Sequence, residues 1–154
     1  MRRVAISILL LTGVVGCATQ GKVGNFVETP IAKNEQKMAA DSVKKLVELF
    51  PPAKTMFYLQ QPTPDAYGVT LVRSIREKGY ALMEYKSAPD GESLRGATAY
   101  SGTPLALTYT VAEAQGLNIV LVSLGVGSES LSRAYQMQSS TKTIYSAGSW
   151  VHKE

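Results

Sequence analysis

The hydrophobic period changes in the middle of the chain, and this change constrains the fold more than any other feature. Before residue 86, apolar residues such as Val43, Leu46, Val47 and Phe50 recur at spacings of three and four, which is the period of a helix with one buried face. After residue 103, apolar residues alternate with small or polar ones, as in residues 105–111. That period of two is typical of a half-buried strand.

The first half contains two predicted helices, each followed by a strand. Thr29 before Pro30 predicts an N-cap and a first helical position, and residues 63–65 repeat this order for a second helix. Prolines 51–52 and Gly79 end the two helices. Predicted strands cover residues 55–60 and 80–85. The polar face of the first helix is predicted to be solvated, and it carries Lys37, Asp41, Lys44, Lys45 and Glu48.

The second half is predicted to be an antiparallel meander. Four runs with strand character are separated by short segments rich in glycine and serine. These runs cover residues 105–111, 117–124, 131–137 and 143–151. We therefore expect one α+β domain at residues 29–154, with two helices packed on a mostly antiparallel sheet and a long loop at residues 86–103.

The N-terminus has the order of a secretory signal peptide at residues 1–16. Arg2 and Arg3 precede an apolar run that ends in small residues before Cys17. A helix over residues 4–15 would be roughly 18 Å long. Because a hydrocarbon core is about 30 Å thick, this segment does not predict a permanent transmembrane helix.

Cys17 ends a stretch that resembles the bacterial lipobox, and it is the only cysteine. We expect it to carry covalent lipid, with acyl chains such as palmitate, so no disulfide forms in the mature chain. Residues 17–28 are then the acylated cysteine and a flexible tether. Phe26 and Val27 either pack on the domain or form a short partner-binding segment. Ala18 follows the cysteine, and by the sorting rule for such lipoproteins we expect the outer membrane, with the domain in the periplasm.

The residue types needed for catalysis are scarce. His152, the only histidine, lies two residues from the end of the chain, which excludes a histidine-based triad and a multi-histidine metal site. Residues 125–130 resemble part of a phosphate-binding loop, but they join two predicted strands and are predicted to be a turn. No pair of carboxylates has a spacing that requires acid–base chemistry. We expect no enzyme activity, no metal and no cofactor other than the lipid.

Charge and aromatic residues indicate which surfaces are available for binding. Without Arg2 and Arg3 the formal net charge falls by two, from +4 to +2, and no long basic run predicts nucleic-acid binding. Arg133, Tyr135 and Trp150 lie on or beside predicted strands. These residues either pack in the core or form a protein-binding surface, in which arginine, tyrosine and tryptophan are enriched.

Four segments of the chain, together with the lipobox, resemble the TrbH family of conjugal transfer lipoproteins. These segments are residues 41–53 (DSVKKLVELFPPA), 68–80 (ending REKGY), 131–135 (LSRAY) and 147–154 (AGSWVHKE). The resemblance covers most of the mature chain except residues 86–103. None of the segments is a catalytic signature.

The resemblance implies an outer-membrane lipoprotein that acts in the mating-pair-formation apparatus, a type IV secretion system that transfers plasmid DNA. The implied partners are the TrbG-like and TrbI-like proteins of the core complex, and copies of the chain itself in a ring. The α+β pattern is also similar to the secretin N-terminal (N0-like) domain. An alternative function is an envelope lipoprotein that binds peptidoglycan or a small ligand through its globular domain, for instance at residues 86–103.

Overall fold

Two helices pack on one face of an eight-stranded sheet, which confirms the predicted α+β class. A computed structural model describes residues 22–86 and 104–154. The elements in chain order are β1 (Gly24–Phe26), α1 (Ala32–Leu49), a 3-10 turn (Pro52–Lys54), β2 (Met56–Leu59), α2 (Ala66–Glu77), β3 (Ala81–Met83), β4 (Leu105–Ala114), β5 (Ile119–Val126), β6 (Glu129–Met137), β7 (Ile144–Ser146) and β8 (Val151–Lys153).

The sheet combines a parallel part with a larger antiparallel part. Strands β3, β2, β4, β5, β6 and β7 are neighbours in that order, and β4 to β7 pair antiparallel, as predicted. The strands β2 and β3 are parallel because α2 crosses between them. Two strands share one edge of β4: β2 pairs with Leu105–Leu107, and β1 pairs further along with Thr110–Ala112.

The hydrophobic core lies between the helices and the sheet. Alternate residues of β4 and β5 point toward the helices and are buried, whereas the residues between them face the other side. Burying each large apolar side chain stabilises the fold by roughly 1.5–3 kcal/mol. The main core residues are Met38, Val43, Leu46, Phe57, Leu59, Tyr67, Leu71, Ile75, Leu107, Tyr109, Val111, Val122, Leu124 and Leu131.

Both helices begin later than the cap pattern predicts. The N-cap residue of α1 is Ile31, whose side chain makes no capping hydrogen bond, so the predicted cap at Thr29 and Pro30 was wrong. The N-cap residue of α2 is Asp65 rather than Thr63, because the Asp65 carboxylate accepts a hydrogen bond from the Gly68 amide at 2.9 Å. The Asp65 side chain, and not the Thr-Pro order, sets where α2 starts.

Part of the predicted tether belongs to the sheet. Residues 24–26 form β1, whereas Cys17 lies outside the described residues. Three residues are too few to show a hydrophobic period, which is why this strand was predicted as flexible chain. Of the predicted long loop at residues 86–103, only Lys86 lies within the described residues.

The predicted strand at residues 143–151 is divided into two. Both parts pair with β6 along the same edge: Ile144 faces Met137, and Val151 faces Ser132. Between them, residues 147–150 lie opposite only two residues of β6, so the edge bulges. Gly148 has a φ of +157° in this bulge. The prediction of one continuous strand was wrong because the alternating pattern does not show the inserted residues.

Candidate functional site

Arg133 lies opposite the bulge and joins three parts of the chain. Its Nε donates a hydrogen bond to the Gly148 carbonyl at 2.9 Å, which holds the bulged backbone. Its Nη1 is 2.7 Å from Oδ2 of Asp41, on α1. Both partners of this ion pair are half-buried, with side chains 18% and 27% exposed. The pair therefore links α1 to the C-terminal strands in a partly desolvated setting.

Tyr135 completes the contact with α1. It follows Arg133 on the same face of β6, and its hydroxyl donates to the same Asp41 oxygen at 2.6 Å. Burial, and then the hydrogen bond to Asp41, raise the pKa of Tyr135 above its ordinary value. The hydroxyl consequently remains a proton donor to the carboxylate. The prediction that Asp41 belongs to a solvated helix face was wrong, because two side chains of β6 cover it.

The guanidinium group of Arg133 is also flanked by aromatic rings. It lies 5.8 Å from the ring centroid of Tyr135 and 6.0 Å from that of Trp150, within the range of a cation–π contact. The structure thus brings together the three residues selected from the sequence in the C-terminal part. Tyr135 is in the core, whereas Trp150 is only half-buried and packs at the edge of the core.

Beside this cluster, an open groove runs between α1 and β7. Its volume is about 580 Å³. We call it the α1–β7 groove, and it is lined by Lys37, Ala40, Asp41, Lys44, Arg133, Tyr135, Tyr145 and Ser146. On its rim, the Lys37 ammonium donates to the Ile144 carbonyl at 2.8 Å and lies 5.3 Å from the Tyr145 ring centroid.

The two apolar residues selected near the N-terminus lie elsewhere. Phe26 pairs with Ala112 on β4 and is 46% exposed, on the face of the sheet opposite the helices. Val27 packs against the core. Of the two possibilities stated from the sequence, packing on the domain therefore applies to Val27. Phe26 remains exposed. Neither residue joins the Arg133 cluster.

A second polar cluster fastens β1 to both helices. The Asn25 amide donates to Oε1 of Glu35 at 2.5 Å and to Oδ1 of Asp65 at 3.5 Å. Glu35, which is only 2% exposed, also accepts the Tyr67 amide hydrogen at 3.2 Å. The Tyr109 hydroxyl donates to Asp65 at 2.5 Å. Burial, followed by this bond to Asp65, raises the pKa of Tyr109. The buried Glu35 carboxylate and the partly buried Asp65 carboxylate are thus both hydrogen-bonded.

A glutamine side chain fills the gap between β2 and β1 along β4. The Gln61 amide donates to the Tyr109 carbonyl and accepts from the Tyr109 amide, both at 3.0 Å. These two bonds replace those of a neighbouring strand, because β2 ends at Leu59 and β1 begins to pair at Thr110. The sequence offers no local signal for this role, since the glutamine acts on a residue 48 positions away.

The candidate catalytic positions make structural contacts. His152 lies 2.5 Å from a Glu129 carboxylate oxygen on the neighbouring strand. A turn joins β5 to β6 as predicted, with a φ of +60° at Gly127. It covers only residues 127–128, because residues 125–126 belong to β5 and residues 129–130 to β6. Within residues 22–86 and 104–154, no three metal-ligating side chains cluster, and no helix is long and apolar enough to cross a membrane.

Comparison with known protein families gives a match over most of the chain. Residues 20–154 match the family described as conjugal transfer protein TrbH, and these residues include both helices and all eight strands described above. No curated protein and no solved structure matches the chain, so the similarity to the secretin N-terminal domain stays a prediction. The chain therefore belongs to the TrbH family of conjugal transfer proteins, and its role lies in conjugation by type IV secretion.

Proposed function

We propose that this protein is an outer-membrane lipoprotein that helps to assemble the core complex of a conjugative type IV secretion system. The family match over residues 20–154 is the observation that carries the proposal. The protein acts by binding, without a catalytic step and without a cofactor other than its lipid. Its partners are the TrbG-like and TrbI-like proteins and neighbouring copies of itself, and it makes no direct contact with nucleic acid.

In this proposal, lipid on Cys17 fixes the chain to the periplasmic face of the outer membrane. Strand β1 begins at Gly24, so the segment between Cys17 and the sheet can span at most about 25 Å. Asn25 joins that strand to Glu35 of α1 and to Asp65 at the start of α2. The anchored end of the chain is thereby tied to the body of the domain, which suits a part that holds its partners close to the membrane.

Labelling with palmitate tests the anchor. Wild-type protein should incorporate the label and fractionate with the outer membrane. Because Cys17 is the only cysteine, Cys17→Ala should abolish labelling and remove the protein from the outer-membrane fraction. An unlabelled variant that still fractionates with the outer membrane would contradict the proposed anchor.

Co-purification tests the assembly role. The wild-type chain, extracted in a mild detergent, should purify together with the TrbG-like and TrbI-like proteins, and deletion of the gene should lower the frequency of plasmid transfer. A chain absent from the complex, with normal transfer after deletion, would exclude the role. Retention on purified peptidoglycan instead would favour the alternative of a ligand-binding lipoprotein.

A further inference from the structure

We infer that the α1–β7 groove binds an extended acidic segment of a partner protein. The inference rests on the proposed function, because it names the surface and the partner chemistry of one assembly contact. It follows from three properties of the groove, namely its uncompensated positive charge, its fixed hydrogen-bond donors and its concave shape.

The groove carries more positive than negative charge. Its charged residues are Lys37, Lys44, Arg133 and Asp41. The Asp41 carboxylate is already bound by Arg133, and no carboxylate within the described residues forms an ion pair with Lys37 or Lys44. In contrast, the neighbouring Lys45 pairs with Glu48 at 3.0 Å. Two positive charges therefore remain to attract the carboxylates of another molecule.

Two of the cationic groups are held in place before anything binds. The Lys37 ammonium is fixed by the Ile144 carbonyl and lies over the Tyr145 ring, and two of its three hydrogens have no protein acceptor among the described residues. The Nε of Arg133 donates to the Gly148 carbonyl and its Nη1 donates to the Asp41 carboxylate. The other N–H groups of the guanidinium group can still donate to a ligand. Side chains that are already ordered lose less entropy when they bind a carboxylate.

The shape of the groove favours a segment of chain over a flat or large partner. Lys37 and Lys44 lie two turns apart on one face of α1, at a distance of about 10 Å along the axis, which an extended peptide spans in about three residues. Ala40 keeps the wall between them low. Tyr145, which is 52% exposed, adds an aromatic surface. Because Lys37 occupies the Ile144 carbonyl, an added strand could not pair with that carbonyl of β7, and we expect recognition to use side chains.

A labelled hexaglutamate peptide tests the inference with the full-length protein in non-ionic detergent. Wild type should bind the peptide, more weakly as the salt concentration rises. The double variant K37E/K44E should bind at least tenfold more weakly. The matched control K54E/K78E makes the same change in net charge at two exposed lysines outside the groove, and it should bind like wild type.

A second variant keeps the test valid if loss of the Lys37 bond disturbs the fold. Lys44→Glu removes no hydrogen bond seen in the described residues, and it should still weaken binding at least threefold with an unchanged melting temperature. Equal losses in K37E/K44E and K54E/K78E would overturn the inference, as would no binding to wild type at low salt. Tighter binding of a single-stranded oligonucleotide or of phosphatidylglycerol micelles would also overturn it, in favour of nucleic acid or lipid.

Plasmid transfer separates this inference from the proposed function. K37E/K44E should remain palmitate-labelled in the outer membrane but should lower transfer frequency, whereas K54E/K78E should transfer normally. If wild type is labelled and co-purifies with its partners while K37E/K44E binds and transfers like wild type, only the groove inference fails. If wild type is neither labelled nor co-purified, the proposed function fails.

Discussion

Arg133 contacts both the bulge between β7 and β8 and the distant helix α1. It bonds the carbonyl of Gly148 in the bulge and the Asp41 carboxylate of α1. A bidentate or bridging guanidinium group is suited to such a position because its planar donors have fixed directions. Lysine is a flexible point charge and lacks this planar arrangement of donors.

A double-mutant cycle measures this ion pair. Asp41→Ala and Arg133→Ala should each destabilise the domain by about 1–3 kcal/mol. The double variant should be destabilised by less than the sum of these two values, because both single substitutions remove the same ion pair. The comparison is the exposed pair Lys45–Glu48, whose alanine cycle should give a coupling below about 0.5 kcal/mol. Urea unfolding of wild type and the six variants supplies these free energies, and additive effects for Asp41 and Arg133 would contradict the prediction.

Gly68 is expected to respond unusually to alanine. In most helix interiors, glycine to alanine stabilises by up to about 1 kcal/mol. Here a Cβ atom would lie 2.5 Å from the Tyr109 hydroxyl and 3.0 Å from the Thr63 Cα. We expect Gly68→Ala to destabilise by about 1–3 kcal/mol, as measured by urea unfolding.

The neighbouring residue provides the control for Gly68. Val69 is 53% exposed on the same helix, and Val69→Ala should change stability by no more than about 0.5 kcal/mol. A stabilised Gly68→Ala variant would show that the close approach of α2 to Tyr109 is looser than described.

The sequence could predict part of the Arg133 cluster but not its acidic member. Residue type alone favoured Arg133, Tyr135 and Trp150, and the fold places them together. Asp41 was assigned to the solvent because a carboxylate on the polar side of an amphipathic helix usually faces water. Its actual partner is 92 residues away in the chain, and such long-range pairing leaves no local pattern.

At the scale of elements, the short strand β1 is held in place by a side chain. Strand β1 has only three residues and depends on Asn25, whose amide reaches the buried Glu35. Hydrophobic period predicted α1, α2 and the long strands β4 to β6, because each exposes one face and buries the other. It could not predict β1 or the division of β7 from β8, since strands of three residues are too short to alternate.

Loss of the Asn25 side chain should release β1. We expect Asn25→Ala to destabilise the domain by about 1–2 kcal/mol, because Glu35 is left buried with one donor fewer. Hydrogen exchange should accelerate at residues 110–112, which pair with β1.

An exposed amide provides the comparison. The Gln115 side chain donates to Glu28 at 3.2 Å at the surface, and Gln115→Ala should leave both stability and exchange at residues 110–112 nearly unchanged. If Asn25→Ala behaves in the same way, the Asn25 cluster does not hold the strand.

At the scale of the whole molecule, four tyrosines stabilise the fold in their neutral form. Burial raises the pKa of Tyr80 to about 12, and burial is also the largest cause of the raised pKa values of Tyr67, Tyr109 and Tyr135. In the unfolded chain, tyrosine loses its proton near pH 10. Above that pH the folded state binds more protons than the unfolded state, so the free energy of unfolding must fall as pH rises.

The melting temperature should therefore be steady below about pH 10 and fall steeply above it. Each buried tyrosine contributes a slope of up to about 1.4 kcal/mol per pH unit. Tyr80→Phe removes one of these titrating groups, so its free energy of unfolding should fall less steeply with pH than that of wild type. The variant also loses the hydrogen bond from the Tyr80 hydroxyl to the Phe50 carbonyl, 2.6 Å away. Calorimetric scans from pH 8 to pH 12 provide the test, and a decline as steep in Tyr80→Phe as in wild type would contradict this assignment.

The pairing of β1 with β4 sets an order of events during biosynthesis. Synthesis proceeds from the N-terminus, and the ladder joins Phe26 to Ala112. The first strand to be made therefore has no partner until most of the chain has followed it. Throughout that interval the N-terminal segment is undocked and accessible. Under the proposed function, the enzymes that attach lipid to Cys17 and cleave the chain before it would act on an open substrate, and docking of β1 would afterwards complete the domain on an anchored chain.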